Sequence, residues 1–324
     1  MIAQHRTRLR VPAGLAIVGL GLLWGAGFPA IDVVVSQLPP LGAAGIRYAV
    51  SGGIVLAYAA ATTDRLLPRA RREVLGVAVV GGFVFGGYQG GLYVGTQYVS
   101  GAVAAVVTTM SPVVAALVAV PVLGESRGLS DVCGFCLGLA GVVVISQPSL
   151  GAAALPSRAI GVGLVFLGTA LFAVGSVSVQ LFDGDLPSEA LQGWAMLVGA
   201  ALLFGGAVLR GESVPPIRSM TPVGLGALLY ITLVAGAGGY LLYFRLVRCV
   251  GATETTLVAY LEPVSATFVS VLVFGRSIEA ATVVGFLAVA AGFTIVSRDT
   301  MRRAIAEIRA PGSNADLEPP DRGD

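Results

Sequence analysis

Long uncharged apolar stretches constrain the fold of this chain more than any other feature of its sequence. The 51 residues from Val74 to Gly124 contain no Asp, Glu, Lys or Arg, and similar runs cover 132–157, 159–182, 190–209 and 219–244. About 18 to 20 apolar residues are enough for a helix to cross the roughly 30 Å hydrocarbon layer of a bilayer. Only 12% of the chain is charged and 56% is hydrophobic. We therefore expect an all-α integral membrane protein.

The hydropathy pattern predicts about ten transmembrane helices. Their predicted ranges are 13–35, 41–61, 74–95, 101–123, 129–146, 159–181, 189–209, 223–245, 253–274 and 279–297. With the N-terminus inside, fifteen arginines fall in inside loops and four in outside loops. Because basic residues are enriched on the cytoplasmic side, we predict a multi-pass protein of the cell membrane with both termini cytoplasmic. The span 182–222 fits this rule least well, and a miscount of helices is open there.

The chain contains an internal repeat. A shift of 151 residues lays 112–146 over 263–297 with 14 identities in 35, and these include prolines and glycines that apolar composition alone would not align. A shift of 148 residues extends the relation to Leu38-Pro39 and Leu186-Pro187. One duplication of this period accounts for most of the chain.

Five helices in each repeat have a topological consequence. Because five is odd, the second copy enters the membrane from the opposite side, which gives the inverted-topology repeat of many secondary transporters. We therefore predict a first five-helix repeat in residues 1–150, a second in 151–298 and a cytoplasmic tail in 299–324.

Several classes of function are excluded by the residue types present. Gly124–Gly128 matches the G-x-S-x-G pattern of serine hydrolases, but the only histidine is His5 in the N-terminal tail, so no Ser-His-acid triad can form. All twenty basic residues are Arg, and without lysine there is no P-loop. We expect no enzyme activity, no metal site, no cofactor and no nucleic-acid partner.

Arg47 and Glu262 are charged residues inside predicted helices, where hydrocarbon makes a charge costly. Glu262 lies near the middle of its helix, and the following Pro263 leaves the carbonyl of Ala259 without its helical partner. A proton-sensitive role in binding or gating and a purely structural role are both open for Glu262. Arg47 lies about six residues inside its helix, so it either snorkels to the interface or faces a central cavity as an anion anchor or a partner of Glu262.

Small residues mark faces where helices approach closely. The fifth helix carries Gly134, Gly138 and Gly141, and the tenth carries Gly285 and Gly292. Such faces favour close helix packing in membranes. These two either pack together within one chain or form a homodimer through the fifth and tenth helices.

Several short motifs stand in a defined order along the chain. They are Trp24-Gly25 with Phe28, Arg47-Tyr48, Ser111-Pro112, Gly124-Glu125, and Leu261-Glu262-Pro263-Val264. Together with the ten-helix plan they resemble the drug/metabolite transporter superfamily, specifically its EamA-type permeases, over residues 13–298. Two positions depart from the repeat: Arg276 stands where the first half has Glu125, and Phe172 where it has Trp24.

The resemblance implies secondary transport by alternating access, with a small-molecule substrate held between the two halves within the lipid bilayer. In many relatives the substrate is an amino acid or related metabolite that is exported. A non-transporting membrane binding or assembly protein and a solute channel are the alternatives.

Polar and aromatic groups on the third and eighth helices suit a small amphipathic solute. The candidate substrate-binding residues are Trp24, Phe28, Arg47, Tyr88, Gln89, Thr108, Tyr240, Tyr260 and Glu262. The candidate gating residues, where proline softens a helix, are Pro112 and Pro263.

Overall fold

A computed structural model describes most of the chain between Ala13 and Val296. The described residues are 13–123, 129–146, 155–178, 181–182, 184–213, 217–250, 258–273, 275, 277 and 279–296. Helices are the regular elements in these ranges, which contain no β-strand. The predictions for Gly124–Gly128, for most of the linker between the repeats and for the tail lie outside them.

The helices follow one another with short connections. They are α1 (Ala13–Val35), α2 (Pro40–Thr62), α3 (Arg71–Val79, Val80–Tyr88 and Gln89–Gly95), α4 (Gly101–Thr108 and Ser111–Leu123), α5 (Leu129–Ser146), α6 (Leu155–Ser178), α7 (Ser188–Leu209), α8 (Pro222–Leu229, Tyr230–Gly238 and Gly239–Val250), α9 (Val258–Leu272) and α10 (Ala280–Val296). Most ends lie within a few residues of the predicted ranges. Among the described residues, six helices are long and apolar enough to cross a membrane, and the parts of α4, α5, α9 and α10 are shorter apolar helices.

Local sequence explains where several helices begin and end. Ser100 precedes α4 and its hydroxyl accepts a hydrogen bond from the Val103 N–H, while Thr221 does the same for Gly224 at the start of α8. Gly211 follows α7 with a φ of 67°, a left-handed conformation that glycine adopts without strain.

Corresponding helices of the two repeats pack against each other. On α2 and α7, Gly45 lies against Phe204, and Gly52 lies against Met196 and the carbonyl of Gly193. Residue numbers rise along one helix as they fall along the other, so α2 and α7 run antiparallel.

The helices α5 and α10 pack in the same antiparallel way. A Cβ added at Gly292 would lie 2.4 Å from the carbonyl oxygen of Gly134, and one at Gly141 would lie 2.7 Å from that of Gly285. The predicted glycine faces are therefore used within one chain. A homodimer through the fifth and tenth helices stays a prediction and would need their outward apolar faces.

Two stretches of π-helix occur at matching places in the two halves. Val80–Tyr88 in α3 and Tyr230–Gly238 in α8 are each nine residues long and are offset by 150 positions, close to the period of the sequence repeat. π-Helical turns are rare and frequently mark functional sites, because they displace the backbone and redirect side chains. Both stretches lie at the centre of the helix bundle, beside the residues described below.

Candidate functional site

Arg47 is buried at the centre of the bundle rather than reaching the interface. Its side chain is only 6% exposed. One guanidinium nitrogen, Nη1, donates a hydrogen bond of 3.2 Å to the hydroxyl of Tyr93, and the guanidinium carbon lies 4.8 Å from the ring centroid of Tyr48. Snorkelling is therefore wrong for this conformation, and the cation is held by aromatic residues of α2 and α3.

Glu262 lies on α9, where α1 approaches most closely. A Cβ at Gly25 would lie 2.4 Å from the carbonyl oxygen of Glu262, and the hydroxyl of Ser265 donates a 2.7 Å hydrogen bond to the carbonyl of Leu22. The Glu262 side chain itself is half-buried. Among the described residues, Glu262 and Arg47 do not form a salt bridge, so the predicted direct pair is absent from this conformation.

A chain of aromatic rings runs from Trp24, which adjoins the Gly25–Glu262 contact, to Tyr48 beside Arg47. Trp24 lies 5.0 Å from Tyr240 and 5.3 Å from Tyr243, centroid to centroid. Tyr240 lies 5.4 Å from Phe85, which in turn lies 5.1 Å from Tyr48 beside Arg47. The chain crosses from α1 and α8 to α2 and α3, so both halves of the protein contribute to it.

The contacts between halves are reciprocal. Trp24 of the first half packs on Tyr240 of the second, and Phe172 of the second half packs on Tyr88 of the first, at 5.1 Å between centroids. Arg47 lies against Tyr48 at one end of the aromatic chain, and the backbone of Glu262 lies against Gly25, next to Trp24 at the other end. The two opposite charges therefore flank one aromatic cluster without pairing directly.

Four buried polar atoms at this centre have no hydrogen-bond partner among the described residues. They are Nε of Arg47, the hydroxyl oxygen of Tyr48, Oε1 of Gln89 and Oγ1 of Thr232. Gln89 is 3% exposed and lies one turn before Tyr93 on α3, so its amide is on the same helix face as the tyrosine that binds Arg47. Buried polar groups are normally hydrogen-bonded, and unpaired ones at a site of this kind are available to a ligand or to water.

Other predicted site residues contribute differently. Thr108 is buried, but its hydroxyl donates to the carbonyl of Ala105 within its own helix, and Phe28 belongs to the apolar core where α4 packs on α1. Tyr260 lies in α9, and its side chain is outside the described residues. None of these three is brought onto the aromatic chain by a described contact.

The two candidate gating prolines occupy different helical positions. Pro263 lies inside α9, as predicted. Pro112 is instead the second residue of the Ser111–Leu123 stretch, after a break at Thr109 and Met110. Proline is tolerated in the first turn of a helix because its missing donor is not needed there. Sequence reasoning also missed Pro29, which lies inside α1.

Three polar contacts between helices were not predicted. Asp32, 7% exposed, accepts a 2.8 Å hydrogen bond from the N–H of Gly101 at the start of α4. The buried hydroxyl of Ser51 donates to the carbonyl of Thr232, and Nε1 of Trp24 donates to the carbonyl of Ala235, at 2.7 and 2.9 Å. Asp32 itself, an acidic residue near the end of the first apolar run, was the sequence signal for its contact with Gly101. Nothing local in the sequence indicates the other two hydrogen bonds, whose partners are about 180 and 210 residues apart.

Metal binding has no support in the described part of the chain, where no group of three or more His, Cys, Asp or Glu side chains could hold an ion. The site is instead an aromatic centre with one buried cation, one partly exposed carboxyl and several unpaired polar atoms. Such a centre is suited to binding an amphipathic organic solute.

Comparison with known protein families gives a match over nearly the whole chain. The model of the EamA-like transporter family matches twice, at residues 12–147 and 159–298. The two matches coincide with the two halves of the sequence repeat.

Curated relatives come from bacteria, an archaeon and a plant. The chain is 25% identical over 285 residues to the uncharacterized transporter YyaM of Bacillus subtilis, covering 87% of this chain and 92% of the relative. It is 26% identical over 276 residues to the uncharacterized inner membrane transporter YedA of Escherichia coli K12, covering 85% and 87%. An uncharacterized transporter of Archaeoglobus fulgidus is 23% identical over 278 residues, with 85% and 95% covered.

A solved crystal structure has a similar fold. It superposes with a TM-score of 0.62 at 21% sequence identity, and the match covers 90% of this chain and 98% of the other. This likeness concerns the fold alone.

Proposed function

Because this chain belongs to the EamA-like transporter family of the drug/metabolite transporter superfamily, we propose that it is a secondary transporter that works by alternating access. It is a multi-pass membrane protein, and its bacterial relatives YyaM and YedA are named as transporters, which are not enzymes.

The transport mechanism that we propose uses two inverted five-helix repeats. The antiparallel packing of α2 on α7 and of α5 on α10 supports this arrangement, because each pair occupies corresponding places in the two repeats. The reciprocal contacts of Trp24 with Tyr240 and of Phe172 with Tyr88 support it as well. Rocking one half against the other would expose the shared aromatic centre to each face in turn.

The substrate that we propose is a small amphipathic metabolite, and most specifically an amino acid or related zwitterion, which is exported. The observation that carries this is the pair Arg47 and Glu262, opposite charges that lie at the two ends of the aromatic chain from Tyr48 to Trp24 and form no salt bridge with each other. A charge in a low-dielectric site is stabilised by an opposite charge nearby. A zwitterionic solute would supply the opposite charge to each residue, with its carboxylate at Arg47 and its ammonium at Glu262. The rings of Trp24 and Tyr240 would contact the apolar part of the solute.

We place the protein in the cell membrane with both termini in the cytoplasm. The excess of arginine in the predicted inside loops supports this orientation. The Escherichia coli relative is described as an inner membrane protein, which agrees with it. Reporter fusions at the C-terminus that are active only in the cytoplasm test the orientation.

Flux through purified protein in liposomes tests the proposed function. Vesicles containing only this chain are loaded with a mixture of L-amino acids, and release is followed by mass spectrometry. We expect saturable release that exceeds that of protein-free vesicles. Arg47→Gln is expected to reduce the transport of zwitterions at least tenfold, since it removes the buried cation while keeping hydrogen-bonding capacity.

A matched control is Arg245→Gln, which removes an exposed arginine from the end of α8 and should leave flux unchanged. Absence of flux for amino acids and for an untargeted metabolite extract would contradict the transporter proposal and favour a binding or assembly role. Flux that never saturates would indicate a channel.

A further inference from the structure

A polar cavity lies away from the aromatic centre, toward the C-terminal end of α9. It has a volume of about 430 Å³ and is bounded by the start of α4, the second half of α9, Gly275 and Ser277 between α9 and α10, and the start of α10. Ser270 lines it and lies eight residues after Glu262, which is about 12 Å along the helix axis. The cavity is therefore on the same helix as the central site but displaced toward one membrane face.

The cavity is lined by hydroxyl groups. Ser100, Thr267, Ser270, Ser277 and Thr282 all contribute to its wall. Ser270 is 4% exposed, and its hydroxyl has no hydrogen-bond partner among the described residues. Each hydroxyl can both donate and accept a hydrogen bond, so such a wall accommodates solutes with groups of either kind.

Among the described lining residues, one side chain is charged, that of Glu279, and it is neutralised by a neighbour. Glu279 accepts two hydrogen bonds from Arg158, at 3.0 Å from Nη1 and 2.6 Å from Nη2, in a bidentate pair. A planar guanidinium and a carboxylate in this geometry form one of the stronger pairs in proteins. The described wall therefore has little net charge and favours neither cations nor anions.

The wall is anchored to the central site through two contacts. The N–H of Gly101 donates to Asp32 of α1, which fixes the start of α4. The hydroxyl of Ser265 donates to Leu22, which fixes α9 against the same helix α1. Movement of α1 or α9 at the aromatic centre would therefore be transmitted to the wall of the cavity.

We propose that this cavity is a second solute-binding site, a one-sided antechamber that holds a small zwitterionic or uncharged polar solute by hydrogen bonds from hydroxyl groups. Its volume lies in the usual range of ligand pockets. The Arg158–Glu279 pair leaves its described lining residues without net charge. The inference rests on the proposed function to the extent that the solute in the antechamber is the one transported through the aromatic centre.

Flux measured separately from each face tests the antechamber. Thr267→Val combined with Ser270→Ala removes two hydroxyls from the wall while nearly preserving volume. We expect KM to rise about tenfold for solute entering from the antechamber face and to stay unchanged from the other face. Thr294→Val is the matched control, because Thr294 is exposed on α10 and its hydroxyl bonds to Ala290 within the helix. An unchanged KM from both faces, or an equal rise from both, would overturn the inference.

Charge preference provides an independent readout. Arg158→Gln leaves the Glu279 carboxylate without its bidentate partner. We expect the KM for a cationic solute such as arginine to fall, and that for an anionic one such as glutamate to rise, from the antechamber face alone. The same response from both faces would place the effect at the central site and contradict the antechamber.

Thiol chemistry separates failure of the antechamber from failure of transport. Ser270→Cys is introduced after Cys133, Cys136 and Cys249 are replaced by Ala, and the protein in liposomes is treated with a membrane-impermeant methanethiosulfonate. We expect modification from one face only, slowed by millimolar L-amino acids. Protection without any flux in the wild type would retain the site and refute transport. A thiol that is unreactive from both faces, or reacts without protection while flux is normal, would refute the site.

Discussion

Replacing Gly25 by Ala is expected to destabilise the protein and distort its aromatic centre. The added Cβ would lie 2.4 Å from the carbonyl oxygen of Glu262, 2.5 Å from the Cβ of Ser265 and 3.0 Å from the Cα of Glu262. Two of these atoms belong to the backbone, so a change of rotamer cannot relieve the contact. To reach even a tight distance of 3.0 Å, α1 and α9 must separate by about 0.6 Å.

The magnitude follows from two opposing effects. Overpacking a well-packed interface by a methyl group costs about 1–3 kcal/mol. Ala is intrinsically better than Gly in a helix by about 1 kcal/mol. Gly19 on the same helix provides the matched control, because a Cβ there meets nothing within 4 Å. Gly19→Ala should be neutral or stabilising, and because the gain in helix propensity is common to both variants, they should differ by about 1–3 kcal/mol.

The assay is unfolding of both variants in mixed detergent micelles by increasing sodium dodecyl sulfate, followed by circular dichroism and tryptophan fluorescence. Trp24 adjoins Gly25 and reports on the same contact. Gly25→Ala should unfold at lower denaturant and, if folded, should transport more slowly than Gly19→Ala. If Gly25→Ala were as stable as Gly19→Ala and equally active, the close approach of α1 to α9 would be wrong.

Three further changes test individual contacts. Glu262→Gln is expected to abolish the pH dependence of flux, because it replaces the carboxyl of a half-buried residue inside α9 with an amide that does not titrate; an unchanged rate and pH profile would exclude proton coupling through this residue. Tyr93→Phe removes the hydroxyl that accepts from Arg47 and should lower the free energy of unfolding by about 1.5–3 kcal/mol in the same detergent titration. Asp32→Leu leaves the Gly101 N–H without its acceptor and should cost about 1–3 kcal/mol, whereas Asp32→Asn keeps an acceptor and should cost less.

Much of the fold could be predicted because the bilayer restricts the alternatives. A long uncharged apolar run has few options other than a membrane helix, so the positions of α1 to α10 follow from hydropathy and charge. The repeat was visible because prolines and glycines recur at one period. Proline and glycine are required at these positions by the backbone conformation, which changes little when the surrounding side chains differ between the two copies.

The site was only partly predictable for a different reason. Arg47 and Glu262 stand out because a charge in hydrocarbon is rare, so composition alone singles them out. Their aromatic surroundings depend on contacts between residues far apart in the chain, such as Tyr240 with Phe85. Thr108 shows the converse: a polar residue in a membrane helix can bond to its own backbone and need no solute.

The two halves share a backbone plan but not its polar contacts, and this asymmetry bears on mechanism. In the second half, carbonyls of the π-helical stretch accept from Trp24 and Ser51 of the first half. A shift of 148 residues lays Trp24 over Phe172 and Ser51 over Gly199, and neither Phe172 nor Gly199 has a side-chain hydrogen-bond donor. A π-helix redirects backbone carbonyls that would accept hydrogen bonds within the helix if it were an α-helix. The π-helical stretch in α8 is therefore hydrogen-bonded to the opposite half, whereas the stretch in α3 lacks the two corresponding hydrogen bonds. Two halves that differ in this way need not move equally, and the repeat in the sequence therefore specifies the architecture but not which half moves.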